Sequence, residues 1–260
     1  MLKIEWLKLR GYRPFWVLMS LYPVTLFGLL LLFVRFYHYI VGKEAQANSV
    51  IGTLPFAFPT VWHSTTYLAS FFHFIPCVLI LLNVCNEFQF RTHRQNLLDG
   101  WSRGQFFFAK LGVAGLVTLI SFAWVVLAAL LVGLFHEGPF SLAGTQVLGC
   151  FLLQSAVYNS LALLLGFWLR RGLVSLAVFL IYSNFLEKIL WGIASIQFRR
   201  IGYYAPLYVA NQLVPFPVWQ QAVKRLTPDA PDLASLLTLA AVYLSLFVAL
   251  SWLSFRRDDL

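Results

Sequence analysis

Long apolar runs alternate with short polar breaks along the chain, and the runs are long enough to cross a bilayer. A hydrocarbon core of roughly 30 Å takes about 20 helical residues. Phe15 to Tyr39 meets that length and carries Pro23 inside it, a source of a kink. Gly42 to Thr60 follows as a loop with Pro55 and Pro59. A second run extends from Ser64 to Cys85 around Pro76, a third covers Phe106 to Phe135, and a fourth Leu142 to Leu169. His136-Glu137-Gly138-Pro139 marks a tight turn between the third and fourth runs, and Arg170-Arg171-Gly172 marks one after the fourth. A fifth run starts at Leu173 and reaches Ile196, a sixth covers Leu233 to Leu253, and the chain ends in SFRRDDL. The pattern predicts an all-α polytopic membrane protein, with six transmembrane helices in a single transmembrane domain over residues 1–260.

Two further segments are neither spans nor simple loops. In Met1 to Pro14, Lys3, Lys8, Arg10 and Arg13 alternate with Ile4, Trp6, Leu7 and Leu9, which predicts an amphipathic helix on the inner membrane surface. The apolar run behind it, about 25 residues, is too long for a signal peptide, and no small-residue cleavage site follows. The segment is expected to be retained. Gln197 to Asp232 is too apolar and aromatic for a solvated loop, and Pro206, Pro215 and Pro217 divide it into pieces too short to span. Re-entrant or interfacial helices before the last span are expected there. Tyr203, Tyr204, Tyr208 and Trp219 suit the headgroup level, and an ordinary aromatic belt is the alternative.

The most polar stretch is Asn86 to Lys110, between the second and third runs. Glu87 precedes Arg91 by four residues and Asp99 precedes Arg103 by four, the order that favours pairing within one helix. Phe88, Phe90, Leu97, Leu98 and Trp101 supply apolar contact. A short amphipathic helix over residues 86–104 is expected, lying against the membrane with one face left for a partner. A charged loop that only fixes topology is the alternative.

Composition agrees with this picture. Hydrophobic residues make up 60% of the chain and charged residues 11%, against about 25% charge in soluble domains. The net charge of +9 is read as positive cytoplasmic loops, not as a nucleic-acid surface. Twelve Lys and Arg residues fall on the side of the termini and of the Asn86–Lys110 stretch, and five on the other. Both termini are therefore expected in the cytoplasm, with the protein in the cytoplasmic (inner) membrane and membrane lipid as a partner. Cys77, Cys85 and Cys150 lie in apolar runs with no paired spacing. The five histidines form no ligand cluster, so no metal site is expected.

No phosphate-binding G-x-x-x-x-G-K-[ST] loop occurs; Gly42-Lys43 is followed by Glu44. No G-x-S-x-G, no nucleophile with a nearby base and no paired carboxylates in one span are present. The chain is not expected to be an enzyme by itself.

Glu87, Arg91-Thr92, Leu97, Ser102-Arg103 and Lys110 resemble the loop between the second and third spans of ABC exporter membrane (permease) subunits of the type V fold. That loop is the family's coupling helix, which docks into a separate ATPase. Arg91 stands where the family usually has Gly before the Thr, and Gly100 stands where it usually has Pro two residues before the Ser. Glu5, Lys8 and Arg10 resemble the family's N-terminal elbow helix, and the basic tail after the last span is also similar. The resemblance implies ABC ATPase subunits as partners, with ATP and Mg used by that partner chain and no cofactor bound directly here. It also implies a second copy of the chain, or a related permease, and external helices that close the pathway. Glu87, Arg91, Thr92, Arg94, Ser102 and Arg103 become the expected ATPase-coupling residues.

Glu187 and Lys188 are the only adjacent opposite charges in an apolar run, and Glu187 lies roughly 22 Å along a helix counted from Gly172. Glu187 is expected to face the pathway or a dimer interface and to contact Arg199 or Arg200. The alternative is that Lys188 snorkels while Glu187 packs on another span. Asn159, Tyr203 and Tyr204 complete the pathway or gating candidates. Three functions are open on this reading. The first is the membrane subunit of an ATP-driven exporter; the second, a related subunit that transmits force to an external partner without transport; the third, an intramembrane enzyme, for which few polar residues at membrane depth are present.

Overall fold

The computed structural model describes residues 2–43, 56–136, 139–197, 201–215 and 231–256. Among them the regular structure is entirely helical. A short helix α1 (Leu2–Gly11) leads into α2 (Arg13–Lys43), which continues through Pro23. The second apolar run forms two helices, α3 (Val61–Ser70) and α4 (Phe74–Gln89), bent by 45°. This departs from the continuous span expected from hydropathy. Pro76 has no N–H to offer the Phe72 carbonyl. The Thr66 and Ser70 hydroxyls also bond back onto carbonyls one turn earlier, at 2.6 and 3.0 Å, which bends helices.

A short helix α5 (Thr92–Leu98) connects to α6 (Arg103–Phe135), and α7 (Gln146–Leu169) follows. The fifth apolar run is α8 (Gly172–Ile181), a π-helical turn at Tyr182–Leu186, and α9 (Glu187–Gln197). A 3-10 turn (Ile201–Tyr204) and α10 (Pro206–Gln212) precede the last helix, α11 (Leu233–Arg256). Of the re-entrant segment expected over 197–232, residues 198–200 and 216–230 lie outside the described residues, as does most of the loop from Gly42 to Thr60.

Among the described residues five helical stretches are long and apolar enough to cross a membrane, and the bent pair α3–α4, counted as one span, makes a sixth. The chain is a multi-pass membrane protein. α7 is its axis: 67% of its most apolar stretch is buried, against 17–33% for the other four single spans. α7 packs against α11, α4 and α6. Close approach needs small residues at the crossing. A Cβ on Gly166 would lie 3.0 Å from the Val84 Cβ, which brings α7 against α4. On the outside of the bundle Val24, Leu31, Leu32 and Phe36 of α2 are exposed, as are Phe185, Ile189 and Leu190 of the fifth run. That is the apolar surface a bilayer covers.

At one end of the bundle Phe167 packs at a tilt against Phe107 and Phe255, with ring centroids 5.5 and 5.3 Å away. Phe88 joins them edge-on, and Phe106 packs on Phe255 at 5.3 Å. These rings tie α4, α6, α7 and α11 together and form the floor beneath the charged cluster described next.

Candidate functional site

Four charged side chains from three segments meet above this aromatic floor. Lys110, on α6, places its ammonium 2.7 Å from Glu5 Oε2 on α1 and 2.9 Å from Glu87 Oε1 on α4. Lys8, one turn after Glu5, reaches Glu87 Oε1 at 3.0 Å and Glu5 Oε1 at 3.4 Å. Two cations alternate with two carboxylates, so the cluster is electrically neutral. Lys110 and Glu5 are 0% and 1% exposed at the side chain, Glu87 is 8% exposed and Lys8 37%. Charges this deep cost several kcal/mol each to desolvate and persist only when paired and hydrogen-bonded. The Lys110 ammonium also sits 5.5 Å over the Phe106 ring, a cation–π contact. Half-burial works against the charged form of Lys8, but the Glu87 and Glu5 carboxylates outweigh it and raise its pKa above the ordinary lysine value.

Glu87 is the hub. Its second oxygen accepts from Thr92 Oγ1 at 2.6 Å and from Asn96 Nδ2 at 3.3 Å, both on α5. Its backbone carbonyl bonds His93 Nδ1 at 2.9 Å. Asn86, beside it, donates to the Tyr12 hydroxyl at 2.9 Å, reaching the link between α1 and α2. One carboxylate therefore holds α1, α4, α5 and α6 in a fixed mutual arrangement.

The expected helix over 86–104 is corrected by this geometry. Glu87 ends a span, the chain turns at Arg91 with φ 57, and only Thr92–Leu98 is helical before Gly100 at φ 94. The left-handed turn at Arg91 separates it from the α4 helix, so a Glu87–Arg91 pair within one helix is not formed. The Asp99–Arg103 pair fails for the same reason: Asp99 follows α5, whereas Arg103 begins α6 and donates to the Arg256 carbonyl at 2.9 Å. Ser102 caps α6, accepting from Gln105 N at 3.2 Å while the Gln105 side chain accepts from Ser102 N at 2.9 Å, a reciprocal capping box. Thr92 joins the cluster, and Arg91, Arg94, Leu98 and Asp99 are exposed around it.

The pathway candidates sit elsewhere. Asn159 is buried on α7, donating to Thr118 Oγ1 at 2.7 Å and accepting from Cys77 Sγ at 3.3 Å. It joins three spans. Glu187 is buried, and its Oε1 accepts the Tyr208 backbone N–H at 2.7 Å in the first turn of α10. It thus caps a helix that has no side-chain cap of its own. The contact expected with Arg199 or Arg200 lies outside the described residues. Tyr203 packs on Tyr208, with ring centroids 5.8 Å apart, and the Tyr204 carbonyl accepts from the Tyr243 hydroxyl. Lys188 is exposed and lines a cavity of about 280 Å³.

Sequence reasoning did not pair Glu5 with Lys110, which stand 105 positions apart. The available signal was a lysine eight residues inside α6 on an otherwise apolar face. Among the described residues no group of three His, Cys, Asp or Glu side chains could hold a metal ion. Compared with protein-family models, curated proteins and solved structures, the chain matches none.

Proposed function

We propose that this chain is the membrane-spanning subunit of an ATP-driven export complex of the ABC type, docking a separate ATPase through α5 and its flanking turns. The observation that carries the reading is the Glu87 hub. It binds the short exposed helix α5 rigidly to α1 and to the ends of two spans. A push on α5 from a partner would then move spans instead of deforming a loop, the requirement for hinge or rocking transitions.

Two details support the register of the resemblance. The family's usual glycine position, here Arg91, adopts φ 57, a conformation that glycine favours. Ser102 starts the third span as its N-cap. The exposed face of α5 offers Arg94 and Leu98, a cation beside an apolar anchor. Two copies of the chain, each with an ATPase bound at the cytoplasmic end, would form the pathway between them. ATP and its Mg would be held by the ATPase, and this chain would supply the moving walls.

Replacing Arg94 or Leu98 by Glu leaves the buried cluster intact and alters only the exposed face. In a reconstituted complex these variants are expected to uncouple ATP hydrolysis from transport or to release the ATPase. Wild-type hydrolysis and transport in both variants would refute the docking role.

A further inference from the structure

About midway along α3–α4 and α7 lies a polar cavity of about 280 Å³, bounded also by the fifth run and α10. Gly172 packs near Leu82 and Cys85, level with the charged cluster, and Lys188 lies sixteen residues beyond it along the fifth run. That is about 24 Å of helix, most of the way across a bilayer. The π turn at Tyr182–Leu186 stands at the cavity, bringing Ser183 and Asn184 to its wall. Such turns shift the register of everything after them and recur at functional sites. Here the residues after the turn are Glu187, directed to the α10 backbone, and Lys188, directed to the cavity lining.

The hydrogen-bond inventory of this cavity leaves more donors than acceptors open. Asn211 Oδ1 accepts from both Gln154 Nε2, at 3.1 Å, and the Tyr158 hydroxyl, at 3.0 Å. These two donors fix the orientation of the Asn211 amide and use its acceptor. Its NH₂ group has no acceptor among the described residues. Gln154 Oε1 is used as well, accepting from Ser70 Oγ at 3.0 Å. Gln154 keeps a second N–H in reserve. Among the described residues Lys188 has no acidic partner and no carboxylate lines the cavity. What remains to be satisfied among the described residues is the Asn211 and Gln154 donors and the Lys188 charge against a single acceptor, Asn184 Oδ1, whose own amide donates to the Leu180 carbonyl and Ser183 Oγ. A membrane-level cation without a partner is costly and points to a ligand or a water-filled path.

The geometry points to a binding site for a phosphate-type oxyanion carried on an amphiphile, with Lys188 supplying the charge and the Asn211 and Gln154 amides orienting the headgroup. The volume suits a headgroup and not a whole lipid, since drug-sized ligands need about 300–1,000 Å³. Phe71 and Phe74 are exposed beside it, offering an apolar surface on which a chain can lie outside the cavity. The site goes beyond the docking role and is independent of it: binding needs no ATPase, so failure of either leaves the other standing.

The test is calorimetric titration of the purified full chain in neutral detergent with dihexanoyl phosphatidic acid. Dihexanoyl phosphatidylcholine and inorganic phosphate form two further arms. Saturable binding of phosphatidic acid is expected, with phosphatidylcholine weaker. Lys188→Gln is expected to weaken phosphatidic acid by about tenfold or more, the usual value of a charge-assisted contact, and Lys188→Arg to keep most of it. Asn211→Asp, on a separate element, replaces the spare donor with a negative charge and is expected to weaken binding as well. Inorganic phosphate binding as tightly as phosphatidic acid would support the oxyanion site and assign it to a soluble anion. Equal binding of phosphatidylcholine, no saturable binding of either oxyanion, or unchanged affinity in a monodisperse Lys188→Gln protein would overturn the proposal.

Discussion

Replacing Lys110 with Met is the sharpest perturbation of the charged cluster. The substitution keeps an unbranched chain of similar reach and removes only the ammonium. It leaves Glu5 and Glu87 with one shared cation, Lys8, at 3.4 and 3.0 Å. With Lys110 contacts of 2.7 and 2.9 Å, an effective dielectric of about 20 gives a gross attraction of about 6 kcal/mol for each pair. Most of that is offset by the desolvation of three buried ions. Breaking such a cluster from one side has a net cost of about 3–5 kcal/mol, because an uncompensated buried charge remains. Lys8→Met removes the same charge from a side chain that is 37% exposed. Screening limits its expected effect to about 1 kcal/mol or less. Adding Glu5→Gln to Lys110→Met leaves one carboxylate facing one lysine, and more than half of the lost stability is expected to return. Reversible unfolding in detergent measures all three. A Lys110→Met protein within about 1 kcal/mol of wild type would show that no uncompensated charge is left buried there and would contradict the expected cost.

Three more outcomes follow from particular contacts. Gly166→Leu drives a side chain into Val84, 3.0 Å from the position of its Cβ; a loss of about 1–3 kcal/mol is expected, with partial recovery on adding Val84→Ala, measured by the same unfolding assay. Asn159→Leu removes the bonds to Thr118 and Cys77 and is expected to cost about 0.6–1.7 kcal/mol, the range for polar contacts between spans; thermal denaturation that is unchanged would argue against an interspan bolt. Glu187→Gln keeps an acceptor for Tyr208 N–H, whereas Glu187→Leu removes it; limited proteolysis is expected to cut near α10 faster in the Leu variant alone, and equal rates in both would reject the capping role.

Hydropathy alone located the membrane-crossing runs, because a bilayer demands about 20 apolar residues whatever the tertiary packing. It did not show the break at Phe71–His73, where local hydroxyl-to-carbonyl bonds and Pro76 act on an otherwise apolar run. The polar stretch was legible as a special place but misread in detail. The spacing of Glu87 and Arg91 suits pairing within a helix, and the turn at Arg91, φ 57, removes that helix. Glu87 instead takes partners 79 and 23 positions away, and contacts of that range leave no periodic trace. Glu187 shows the same limit. Its burial was expected from the cost of a membrane carboxylate, but its partner is a backbone N–H of α10, which no side-chain pattern announces.

The proposed docking of an ATPase on α5 can be examined directly in cells. A photo-crosslinking amino acid placed at Leu98, an 88% exposed position, reports what covers that face, and the same probe at Asn184 reports on a site within the fifth run, about 18 Å of helix from Gly172. Crosslinking from position 98 to a chain carrying a G-x-x-x-x-G-K-[ST] loop, with none from position 184, is the expected result. Adducts with lipid alone at position 98, or the ATPase captured equally from both positions, would contradict the assignment.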